Sequence, residues 1–186
     1  MHRFGNDYPN LVFIGRLTKV KHLDLLLKSL KQLKTEGRQF NLTLIGGGEQ
    51  QDELRVLVNE FALEESVWFY GPCYDEDKLG NLIYNADLCV SPGNVGLTAM
   101  HSMVFGTPVL THNDFAWQMP EFEAIKEGVT GGFFVRDDMN SLADRIIAWF
   151  SVENYDRERI RQNCFMEIDQ NWTPQFQIGV LKKHLL

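Results

Sequence analysis

Short apolar runs that stop at glycine-containing turns, each followed by a segment of helical periodicity, constrain this chain more than any other feature. Residues 86–111, ADLCVSPGNVGLTAMHSMVFGTPVLT, contain the whole unit. Leu88 to Val90 reads as a strand, Ser91-Pro92-Gly93-Asn94 as a turn, residues 96–105 as a helix, and a second apolar run begins at Val109 after Gly106-Thr107-Pro108. A strand, a turn, a helix and a strand in that order make the crossover that joins two parallel strands. The helix start carries backbone N–H groups without intrahelical acceptors at the positive end of the helix dipole, where phosphate is held well.

The unit recurs along the chain. Residues 11–14 read as a first strand closed by Gly15-Arg16, and Leu23, Leu26, Leu27, Leu30 and Leu33 follow at helical spacing up to Gly37. Residues 40–45, 67–70 and 133–135 are further strands, and residues 50–63 and 75–84 further helices. Past Asp138 the pattern turns helical: Leu142, Ile146, Ile147 and Phe150 form one stripe, with helices expected over 156–167 and 172–186. The expected fold is α/β, a Rossmann-like three-layer α/β/α domain with a mostly parallel sheet of about six strands and a helical C-terminal tail. One domain is expected over 1–186, with its sheet and helices in 11–150 and the tail in 151–186.

Charge and composition exclude several functions. The net charge of −7 argues against a general nucleic-acid surface. No apolar run is long enough to span a bilayer, and the N-terminal MHRFGNDYPN is too polar for a secretory signal. Cys73, Cys89 and Cys164 lack CxxC spacing, which fits reduced thiols rather than a disulfide framework or a zinc site; Cys89, inside an apolar run, is a core residue.

Four places carry chemistry. At Gly15-Arg16-Leu17-Thr18-Lys19-Val20-Lys21, Gly15 permits close backbone approach and Arg16 and Lys21 have the charge to neutralise a diphosphate, or else form a solvated basic turn. Gly46-Gly47-Gly48-Glu49 meets neither the dinucleotide fingerprint nor the Walker loop, which argues against a dinucleotide oxidoreductase and leaves a ligand loop or a plain tight turn. Asn94, Val95, Gly96 and Leu97 stand at a helix entry with His101 one turn inside, a residue able to bond a ribose or sugar hydroxyl or to serve structure alone. In Gln118-Met119-Pro120-Glu121-Phe122-Glu123, with His112 and Asp114 in the same loop, Glu121 and Glu123 suit hydroxyl binding or acid–base work, or complement a helix N-terminus.

Taken in order, FIGRLTKVKHLDLLLKSL, LTLIGGGEQQDEL, VWFYGPCYDEDKLGNLIYNADLCVSPG, GLTAMHSMVFGTPVL and FEAIKEGVTGGFF resemble the donor-binding, carboxyl-terminal half of a GT-B glycosyltransferase, in particular retaining family 4. The resemblance covers most of 11–150. It implies that Arg16 and Lys21 hold the diphosphate of a nucleoside-diphosphate sugar and assist its departure, and that Gly15, Asn94 and the amides near Val95, Gly96 and Leu97 complete the phosphate site. It implies a base pocket at Gly71, Pro72, Cys73 and Tyr74, hydroxyl binding by His101, Glu121 and Glu123, and neither metal nor separate cofactor. The expected parent transfers a hexosyl group to a saccharide or lipid-linked acceptor held by an amino-terminal domain absent here, in surface polysaccharide synthesis. Its expected location is the cytoplasm, with peripheral association at the inner face of the membrane.

This sequence departs from the family pattern at two positions. The usual signature has two glutamates eight positions apart, and aligning Gly96-Leu97 puts Gly93 and His101 at their places. Asn94, Glu121 and Glu123 are candidates to replace the first carboxylate; Glu123 also fits a later family pattern through Gly128 and Gly131. The alternatives are a degenerate, non-catalytic nucleotide-binding module and a nucleotide-sugar epimerase of the same fold.

Overall fold

The computed structural model describes residues 3–5, 7–152 and 155–185. Six strands form one parallel sheet: β1 (Asn10–Ile14), β2 (Asn41–Ile45), β3 (Val67–Gly71), β4 (Leu88–Ser91), β5 (Val109–His112) and β6 (Gly131–Phe134), in the order β3-β2-β1-β4-β5-β6. The inner strands lie between helical layers, so β1, β2, β4 and β5 are almost wholly buried and read as continuous apolar runs, whereas the edge strand β3 is only partly buried beyond Val67. Leu11, Val12, Phe13, Leu42, Leu44, Leu88, Cys89, Val90, Val109 and Leu110 make up this interior.

The helices are α1 (Leu23–Thr35), α2 (Gln51–Glu60), α3 (Glu76–Tyr84), α4 (Leu97–Val104), α5 (Met139–Phe150), α6 (Arg157–Asn171) and α7 (Pro174–Leu185). α1 packs on α2 and α5, and α4 packs on α6, which in turn meets α7. Side-chain caps fix three of the starts: Asp75, Asp138 and Asp156 accept from the amides of Lys78, Ser141 and Arg159.

The boundaries differ from expectation at three places. The helix expected over 50–63 ends at Glu60, because Ala62 turns to φ +52°. β6 starts earlier than residue 133, at Gly131, which pairs with Val109; Val135 leaves the ladder and donates its amide to Ser141 Oγ. The helix expected over 156–167 continues to Asn171, and Trp172 closes it rather than opening α7. Leu186 lies outside the described residues.

The strand order reverses between β1 and β4. Helices leave those two strands toward opposite faces, which opens a crevice at their carboxyl ends.

Candidate functional site

The crevice is built by backbone contact between loops. Gly15 N–H donates to the Ile45 carbonyl at 3.0 Å, Leu17 N–H to Gly47 at 3.0 Å, and Gly46 N–H to Gly71 at 2.9 Å. The turns after β1, β2 and β3 are therefore stitched side by side. Gly46, at φ +142°, has no space for a side chain, since a Cβ there would stand 1.9 Å from the Gly15 carbonyl oxygen.

From the other side, α4 is tied to β1: the buried Thr98 hydroxyl donates to the Ile14 carbonyl at 2.8 Å. The turn before α4 is tied to the β1–α1 loop, where Gly93 N–H donates to the Lys21 carbonyl at 3.0 Å. Lys21 Nζ donates to both the carbonyl and the side-chain oxygen of Asn94, at 2.7 and 3.0 Å. Burial, with the Arg16 guanidinium acting in the same direction, lowers the Lys21 pKa below the ordinary lysine value. Among the described residues no carboxylate pairs with Arg16 or Lys21, so this corner holds two positive charges without a counterion.

Arg16 opens onto a cleft of about 720 Å³ that Gly15, the Gly46–Gly48 turn, Pro72, Cys73, Tyr74 and His101 also line. Residues from four separate loops and helices thus meet in one hollow. Of the residues singled out above, Gly71 only frames it, ending β3 with its carbonyl on Gly46, and Lys21, Asn94, Gly96, Leu97 and Glu121 stand outside its lining. Glu76 and Leu79 of α3 also line the cleft, and no local pattern marks them.

The tip of α4 differs from expectation in one donor. The Val95 amide is already taken, donating to Gln118 Oε1 at 2.6 Å, while the Gln118 side-chain nitrogen bonds Thr111 Oγ1 and the His112 carbonyl. Val95 is therefore a buried structural residue and not a free phosphate donor. The Gly96 and Leu97 amides keep their donor capacity, with no acceptor among the described residues. One Glu121 carboxylate oxygen is enclosed without a hydrogen-bond partner and lies 3.9 Å from where a Cβ on Gly96 would stand. Glu123 is exposed and does not reach the cleft. His112 ends β5 with its ring edge-on to Phe134; burial, then Arg136, lowers its pKa, and its Nδ1 accepts the Asp114 amide.

Gly93 explains one of the two departures. A Cβ at this position would stand 1.9 Å from the Val20 carbonyl oxygen and 2.7 Å from Lys21 Cα. The turn after β4 lies so close against the β1–α1 loop that a side chain has no room there. No group of three or more metal-ligating side chains occurs among the described residues.

Cations and glycine turns gathered at the switch point of a parallel sheet define a Rossmann-like domain with a positively charged crevice. The chain belongs to the glycosyl transferases group 1 family, whose model matches residues 2–164. It is 22% identical over 176 residues to a putative colanic acid biosynthesis glycosyltransferase of Salmonella typhimurium, a match covering 89% of this chain and 42% of the relative. Its fold superposes on Anabaena HepE, solved in complex with UDP, with TM-score 0.76 and 21% identity, over 97% of this chain and 50% of that one. It also superposes on the isolated C-terminal domain of a glycosyl transferase group 1 protein of Francisella tularensis, with TM-score 0.72 and 20% identity, over 91% and 90% of the two chains. The chain spans about two fifths of the length of the curated relatives it matches first, and its fold is that of the carboxyl-terminal GT-B half.

Proposed function

We propose that this chain is the donor-binding half of a glycosyltransferase and holds a nucleoside-diphosphate sugar in the crevice between β1 and β4. One observation carries the reading: Arg16, the 72–74 loop and His101 line a single cleft, with Lys21 electrostatically linked to Arg16. The diphosphate lies between Arg16, Lys21 and the Gly96 and Leu97 amides, with Gly15 allowing its approach. The base stacks along Pro72, Cys73 and Tyr74, and His101 bonds the ribose. As the glycosidic bond to the donor phosphate breaks, the growing negative charge on the leaving diphosphate is stabilised by two fixed cations and the helix tip. HepE, which shares the fold, binds UDP, in support of this class of ligand.

Glu121, whose unpartnered oxygen stands beside Gly96, is the group in place to take a donor-sugar hydroxyl; Glu123 is the more distant candidate. The acceptor, a saccharide or a lipid-linked saccharide, is held by the amino-terminal half of the whole enzyme. Surface polysaccharide synthesis in the cytoplasm, at the inner face of the membrane, belongs to the same reading. Among the described residues no helix is long and apolar enough to cross a membrane.

The closed turn at Gly93 favours a second reading, a non-catalytic module that binds nucleotide without engaging its sugar. Calorimetric titration with UDP, GDP and ADP, each with and without a sugar, separates the two. Arg16→Ala and Lys21→Ala are each expected to weaken nucleoside-diphosphate binding by about 1–3 kcal/mol, the range for charge-assisted bonds. Unchanged affinity in both variants removes the phosphate assignment, and equal affinity with and without the sugar selects the second reading.

A further inference from the structure

The loop between β5 and the short helix at Pro120–Ala124 is largely exposed, with Phe115, Trp117 and Met119 open to solvent. Gln118 turns inward from it. Its Oε1 accepts the Val95 amide at 2.6 Å, and its Nε2 donates to Thr111 Oγ1 at 3.0 Å and to the His112 carbonyl at 2.9 Å. The partners dictate the side chain. The Val95 amide can only donate and the His112 carbonyl can only accept. The Thr111 hydroxyl gives its proton to the Ser91 carbonyl at 2.8 Å, so toward Gln118 it too accepts. One acceptor and two N–H donors on a single planar group are what a primary amide offers and a carboxylate does not.

This clasp fixes two consecutive peptide planes, each rigid because the C–N bond does not rotate freely. The plane that holds the Val95 N–H also holds the Asn94 carbonyl, which accepts Lys21 Nζ at 2.7 Å. One rigid unit thus has Lys21 at its carbonyl and Gln118 at its amide. The ammonium at one end and the side-chain oxygen at the other polarise it in the same direction, which strengthens both bonds. The next plane holds the Val95 carbonyl and the Gly96 N–H. Met119 N–H donates to that carbonyl at 3.2 Å, so the Gly96 N–H points the opposite way, away from the loop. Met119 Cγ lies 3.4 Å from where a Cβ on Gly96 would stand, so the loop rests directly on the turn. Gln118 itself stands outside the lining of the cleft.

We propose that Gln118 is a positioning residue for the diphosphate, acting through Lys21 and the tip of α4 without touching a phosphate itself. By holding the Asn94–Val95 peptide it keeps the Asn94 carbonyl where Lys21 meets it, and with Met119 it holds the direction of the Gly96 amide at the start of α4. The proposal rests on the donor-binding reading of the crevice and adds that its phosphate-binding groups depend on a side chain from the loop after β5. Gln118 therefore governs the phosphate share of the affinity and leaves the share of base and ribose unchanged.

The test compares the whole wild-type chain with Gln118→Met, which keeps the length and loses every polar partner, and Gln118→Glu, which keeps the acceptor for Val95 and loses both donors. UDP, GDP and ADP are each titrated beside their own nucleoside, which has the base and ribose but no phosphate. In both variants the nucleoside diphosphate is expected to bind ~5-fold or more weakly, with the nucleoside within ~2-fold of wild type. Circular dichroism checks the fold, and if Gln118→Met does not fold, Gln118→Glu decides alone. Loss of both ligands by the same factor means that Gln118 serves the fold only and overturns the proposal, as does wild-type affinity for the diphosphate in the variants. If none of the three diphosphates binds wild type more tightly than its nucleoside, and Arg16→Ala changes nothing, the donor-binding reading itself fails and takes this proposal with it.

Discussion

The Thr98 hydroxyl, buried at the first turn of α4, donates to the carbonyl of Ile14, the last residue of β1, at 2.8 Å. Together with the Gly93–Lys21 and Lys21–Asn94 bonds, it holds the helix tip against the loop that carries Arg16. Thr98→Val leaves a buried carbonyl unmatched and is expected to cost about 1–3 kcal/mol of stability. Thr98→Ser keeps the hydroxyl and is expected to cost less. Urea denaturation of the three proteins measures the difference, and a valine variant as stable as wild type would show that the bond is not needed.

Lys21 gives the cleft a pH dependence. Its pKa is lowered in the free chain by burial and by Arg16. A bound diphosphate favours the charged ammonium and raises that pKa, so between the two values the complex holds more protons than the free chain. Affinity for UDP is therefore full below the free pKa, falls as pH rises through it, and levels off above the bound pKa. The fall is expected to begin at lower pH than for an ordinary lysine. Calorimetry across alkaline pH checks this, and Lys21→Met is expected to lack the fall; the same slope in that variant assigns the titration to another group.

Gly93→Glu, which reinstates the carboxylate that the family pattern carries, is expected to harm the protein. Its Cβ meets the Val20 carbonyl oxygen at 1.9 Å, so the turn after β4 must separate from the β1–α1 loop and lose the Gly93–Lys21 hydrogen bond. A loss of about 1–3 kcal/mol is expected, as for other overpacked sites, with weaker UDP binding alongside. Thermal melts and UDP titration measure both. A stable variant that binds a nucleotide sugar more tightly would show that the turn opens freely.

The thiols report on the cleft. Cys73 lines it and is partly exposed, whereas burial pushes the Cys89 and Cys164 thiols up to about 12. A thiol-specific chromogenic disulfide is expected to react quickly at Cys73 and at the other two only after unfolding, because the thiolate is the reactive form. UDP is expected to slow the fast reaction. A fast phase that UDP leaves untouched would place the base away from the 72–74 loop.

The sequence made the sheet legible because its inner strands are covered on both faces, which turns burial into unbroken apolar runs such as residues 11–14 and 88–90. β6 was harder to place, because Gly131 and Gly132 pair in the ladder with no side chain to announce it. The gathering of Arg16, residues 72–74 and His101 was legible only through the order of the segments, since no local spacing joins them. Gln118 was visible as a loop residue, but its part in holding Val95, Thr111 and His112 together is a long-range matter.

The contact between Gly46 and the Gly15 carbonyl bears on how such a protein can change its preferences. Because the first two turns touch main chain to main chain, neither can be lengthened or given a bulkier residue without separating both from β3. Altered ligand choice must therefore come from side-chain exchanges at outlying positions such as Arg16 and Tyr74, with the loop skeleton inherited unchanged.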